Sequence, residues 1–161
     1  MLPPIENLSV AAFFIAAILS VIGALWKGGA PERAGAIFIV YLFAFQAAAL
    51  SIYPPALDQT DFVGLATDAL ALIAFMAIAM FADRWWPLIA AALQAVSLTF
   101  HLARLFSPDA LELVYAVFRT MPLAAPILLI GFGTLRHCQR VKRYGSDPDW
   151  ATFASNQGAP K

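Results

Sequence analysis

The chain has 161 residues, of which 61% are hydrophobic and only 12% charged, whereas a soluble domain averages about 45–50% apolar and about 25% charged residues. Formal net charge is +0 and the pI is about 6.7, so bulk electrostatics point to neither nucleic acid nor an acidic substrate. The few charges fall in short clusters between long apolar runs, so the solvent for those runs is lipid, and spans of about 20 residues each leave no room for a soluble catalytic domain.

In chain order, the segment before Asn7 carries Glu6 and no base, which argues against a cleaved signal peptide and for a retained first span. Uncharged residues 8–26 form that span, closed by Lys27-Gly28-Gly29. Small residues at Ala12, Ala16, Ser20 and Ala24 suit close helix packing. Pro31 and Glu32 suit a helix start, and residues 35–53 give the second span, stopped by Pro54-Pro55. An acidic connection with Asp58 and Asp61 leads to the third span, 62–82, and the short Asp83-Arg84-Trp85-Trp86-Pro87 makes the fourth, 86–106, its antiparallel neighbour. Both tryptophans suit the headgroup layer. Ser107-Pro108-Asp109 reads as a helix cap, and a fifth span over 108–135 is interrupted by Arg119, Pro122 and Pro126. Its alternative is an interfacial helix over 109–120 followed by a short span. Residues 136–161 read as a basic, polar and mostly disordered cytoplasmic tail. The expected fold is therefore an all-α integral membrane bundle of five transmembrane helices.

With five crossings, Lys27, Arg33, Arg84 and the run from Arg136 to Arg143 share one side. The positive-inside bias makes that side cytoplasmic, with the N-terminus outside. The expected location is a bacterial inner membrane.

Ionisable residues within spans are the candidates for chemistry. Asp68 lies about 9 Å below the outer end of its helix and Arg119 about 12 to 15 Å below that of the fifth. Two unpaired charges at such depth would each cost about 2.5–3.5 kcal/mol at a helix centre, so a contact between them is expected. Gln94, Ser97, His101 and Arg104 recur at i, i+3, i+7 and i+10 on the fourth helix, a stripe that should face protein. Gln46 and Tyr115 fall at similar depth. These residues form either a ligand or transport site near the outer face or a hydrogen-bond network that ties helices together.

Other signals are weaker. His101 has no second histidine at matching depth for haem, and adjacent His137 and Cys138, the only cysteine, lack further zinc ligands, so no cofactor or metal is expected. The basic run could hold anionic lipid, although topology alone accounts for it. The expected function is a non-enzymatic assembly or accessory component, partnered by the lipid bilayer and by another membrane protein or further copies of the chain. The alternative is a small-molecule binding or transport protein using Asp68, Arg119, His101, Gln94, Arg104, Gln46 and Tyr115. An intramembrane enzyme built on His101 and Asp68 is a third reading.

Overall fold

The computed structural model describes residues 4–52, 62–106 and 112–151, with the side chains of 4–7, 9, 104–106 and 112–123 left out. These residues form five α-helices: α1 (Pro4–Lys27), α2 (Ala30–Ile52), α3 (Phe62–Phe81), α4 (Trp86–Phe106) and α5 (Glu112–Tyr144). Four of them, α1 to α4, are long and apolar enough to cross a bilayer, and by that measure the chain is a multi-pass membrane protein. Their surfaces agree with a lipid solvent, because Phe14, Ile18, Leu19 and Trp26 on α1 and Ile73 and Met80 on α3 are all exposed.

Each helix packs on its neighbours in chain order, α1 closes the ring against α5, and α2 also touches α5 across it. The helix starts follow from local chemistry. Pro31 and Pro87 fall in the first turns of α2 and α4, where no backbone N–H is required. Hydroxyls at Thr67, Thr99 and Thr134 donate to the carbonyls of Val63, Ala95 and Ile130, one turn back on their own helices, so they leave no unmet polar group in an apolar layer.

Trp86 is the wedge of the core. It is 1% exposed and stacks edge-on against Phe75 of α3 at 6.2 Å, which in turn meets Phe38 of α2 at 6.3 Å. Close approach is possible because two helices present glycine to it. A Cβ at Gly133 of α5 would lie 2.6 Å from Trp86 Cδ1, and one at Gly35 of α2 would lie 2.8 Å from Trp86 Cη2. At the neighbouring seam a Cβ on Gly131 would strike Ser20 of α1. Of the small residues noted on α1, Ser20 and Ala24 sit at helix contacts, while Ala12 is exposed and Ala17 is buried instead. The two tryptophans also part company. Trp85 is half exposed as an interfacial ring should be, but Trp86 belongs to the core.

The carboxyl-terminal end differs most from expectation. The helix expected to close at Leu135 continues to Tyr144, and it is continuous from Glu112, with no separate helix ending near Thr120. Gly145, at φ 79°, ends it, its N–H bonding to the Val141 carbonyl at 2.9 Å, an ending that glycine permits because it lacks a Cβ. Residues 145–151, expected to be disordered, fold back over the ends of α2 and α3 instead. The reason is hydrogen bonding rather than apolar burial: Asp149 Oδ1 accepts from the Ala30 N–H at 2.9 Å, and the Ala151 N–H donates to the Phe81 carbonyl at 2.7 Å. The first satisfies an orphan donor at the start of α2 and the second an orphan acceptor at the end of α3.

Candidate functional site

Asp68 lies in the second turn of α3 and is 5% exposed. Facing it from α4 are Ser97 and His101, one turn apart and 1% and 2% exposed. Ser97 Oγ donates to Asp68 Oδ2, and His101 Nε2 lies 3.4 Å from the same oxygen. Gln94, one turn before Ser97 on α4, and Thr67, beside Asp68, are wholly buried. The carboxylate is therefore held between two neighbouring antiparallel helices and shut off from water.

The geometry limits what this group can do. In a nucleophilic triad the imidazole stands between the hydroxyl and the carboxylate, so that it can take the hydroxyl proton. Here the carboxylate stands between the other two, and His101 and Ser97 both address one oxygen of Asp68. The arrangement is a tie between α3 and α4. Gln46 on α2 is half-buried and stays outside the hydrogen bonds that join Asp68, Ser97 and His101. The side chains of Arg104, Tyr115 and Arg119 lie outside the described residues, as does the expected contact between Asp68 and Arg119.

A second polar cluster occupies the opposite end of the bundle, among the basic residues. Glu32, in the first turn of α2, is fully buried, and its Oε1 accepts from Arg84 Nε at 3.2 Å and from the Trp86 indole N–H at 3.0 Å. Arg84, in the connection between α3 and α4, also donates through Nη1 to the Asp83 carbonyl at 3.1 Å, and through Nη2 to Asp147 Oδ2 at 2.8 Å and the Pro148 carbonyl at 2.9 Å. Asp147 in turn contacts His137 Nδ1 at 2.6 Å and accepts from Arg140 Nε at 2.8 Å, both from α5. Burial pushes the Asp147 carboxyl up, but the hydrogen bonds from Arg140 and His137 and the positive charges of Arg84 and Arg140 outweigh it and hold the group below its ordinary value. Cys138 Sγ reaches the Lys27 carbonyl at 3.6 Å. Of the adjacent pair, Cys138 thus faces the seam between α5 and the end of α1, while His137 turns to Asp147 of the returning tail.

We call this cluster the clasp, since one guanidinium joins the start of α2, the α3–α4 connection and the returning tail. Sequence reasoning missed it. The signals present were a glutamate directly after a helix-starting proline, an arginine confined to a five-residue connection, and two aspartates flanking Pro148, but nothing in their spacing links residues 52 and 63 positions apart.

Compared with known proteins, the chain matches no family model, no curated protein and no solved structure.

Proposed function

We propose that this chain is a non-enzymatic assembly or accessory component of a bacterial inner membrane, crossing it five times with the N-terminus outside and the clasp in the cytoplasm. The observation that carries this reading is the closed state of Asp68. An ionisable group inside a membrane is a functional candidate by default, but this one directs its oxygen to Ser97 and His101 within the bundle and has almost no access to solvent. Orientation is supported by the basic residues, since Lys27, Arg33, Arg84, Arg136, Arg140, Lys142 and Arg143 all belong to the end that carries the clasp.

Two measurements test the proposal. Replacing Asp68 with Asn removes the carboxylate charge and turns one of its two acceptor oxygens into a donor, and should lower stability in detergent by about 1–3 kcal/mol. A functional carboxylate retained at the expense of stability would give the reverse, a variant as stable as the parent or more so, and that result would move the reading to a binding or transport site. Reporter fusions after residue 161 and within the acidic connection near Asp58 should report opposite compartments, the first cytoplasmic. Fusions reporting one compartment would rule out the five-span arrangement.

A further inference from the structure

Along α5 one stripe changes character. Ala125, Leu128 and Phe132 line an apolar groove of 450 Å³ against Ile89 and Leu93 of α4. One turn beyond Phe132 the same stripe becomes basic, and Arg136, Arg140 and Arg143, with Lys142, line a cleft of 760 Å³ flanked by Trp85 and Tyr144. Spacings of three and four residues keep Ala125, Leu128, Phe132, Arg136, Arg140 and Arg143 on one face. The groove and the cleft share Trp85. They are joined again where the Arg136 guanidinium lies 5.6 Å from the centre of the Phe132 ring, which itself packs edge-on against Trp85 at 5.6 Å.

We infer that this is a binding site for an anionic glycerophospholipid of the leaflet at the clasp end, with the phosphate in the basic cleft and an acyl chain in the groove below it. Charge complementarity selects the ligand. Among the described residues no acidic side chain lines the cleft, and of its cations Arg140 is engaged by Asp147, while Arg136, Lys142 and Arg143 are exposed and outside the clasp. The groove is almost purely apolar in its lining and opens toward the surface that lipid covers, with Leu128 and Phe132 both about half exposed. The half-exposed Trp85 at the junction suits the boundary between headgroups and hydrocarbon. An apolar groove alone would accept any lipid; the basic cleft at its head supplies the preference for negative charge. The site requires α5 to cross the membrane beside α4, which the reporter fusions test separately.

The experiment is a titration of the purified protein in neutral detergent with phosphatidylglycerol and with phosphatidylcholine of the same chain length, read by native mass spectrometry. Phosphatidylglycerol should be retained preferentially, and the double variant R136Q/R143Q should lose about fivefold in that preference for each cation removed, roughly 25-fold together. Its melting profile should match the parent, because neither residue belongs to the clasp. Filling the groove with Ala125→Trp should weaken retention with the cations intact. Equal retention of the two lipids, or an unchanged preference in R136Q/R143Q, would overturn the assignment. Competition by water-soluble glycerol phosphate as effective as the whole lipid would also overturn it, since the groove would then contribute nothing. So would loss of self-association rather than of lipid in the double variant, which would give the stripe to a second copy of the chain.

Discussion

The two polar clusters of this bundle solve the same problem with opposite means. Around Asp68, among the described residues, one carboxylate meets a hydroxyl and an imidazole and ties α3 to α4. In the clasp, two buried acids and a buried arginine, with Arg140 and His137 alongside, connect the start of α2, the α3–α4 connection and the tail. The difference follows from depth. Within hydrocarbon each charge is expensive, so Asp68 is held by hydrogen-bonding partners on the adjacent helix. At the end of the bundle, side chains can be solvated before they pair, so a dense network can assemble. A clasp of this kind can also link segments distant in sequence, whereas the contacts of Asp68 with Ser97 and His101 reinforce a helical hairpin that a short connection already makes adjacent.

That contrast can be broken from its strongest point downward. Arg84→Ala leaves both Glu32 and Asp147 buried without their shared cation, and should cost about 3–5 kcal/mol, seen as a large fall in melting temperature in detergent and as protease cleavage near residue 145. Asp68→Asn should cost less, about 1–3 kcal/mol, and leave the tail protected from protease, because the two clusters share no residue. Gains in protease sensitivity of the tail in that variant would show that the clusters are coupled. Asp149→Ala removes only the acceptor that closes the first turn of α2 and should cost about 1 kcal/mol, detectable as faster amide exchange at Ala30. The gentlest perturbation is acid. Because the Asp147 carboxyl is held below its ordinary value of 3.8, its contribution is complete above that value and is lost as pH falls through the lower value of the folded state. Tail cleavage should therefore be constant from neutrality down to about pH 4 and rise only below it, and a rise near neutrality would assign the sensitivity to another group.

Much of the architecture was legible in advance because lipid reads composition directly. Helices α1 to α4 start and stop within a few residues of the expected spans, set by uncharged runs, the prolines at 31, 54 and 87, and the glycines at 28 and 29. Gln94, Ser97 and His101 were placed on one face by helical spacing alone. The pairing of Ser97 and His101 with Asp68 was not, because a stripe states which way it faces but not which residue across the seam meets it. The sequence suggested Arg119 as the partner of Asp68 by depth, a match that equal height permits and packing has to select.

The tail was the larger miss. Residues 136–151 are mostly polar, and their few large apolar side chains, Val141, Tyr144 and Trp150, stay exposed; composition of that kind predicts disorder when a segment is considered by itself. What folds it is the set of orphan groups at other helix ends, the Ala30 N–H, the Phe81 carbonyl and the guanidinium of Arg84.

The sequence by itself determined the multi-pass apolar character, the extent of the four apolar helices α1 to α4 and the face on which α4 carries its polar residues, since all of these depend on local hydrophobicity and a fixed helical period. Only the tertiary structure decided that Trp86 enters the core between two glycines while Trp85 stays at the surface, and that Asp147 answers Arg84 across 63 positions. Those outcomes depend on which helix ends come together. Ring closure of α1 against α5 settles that question, through contacts between residues far apart in the chain.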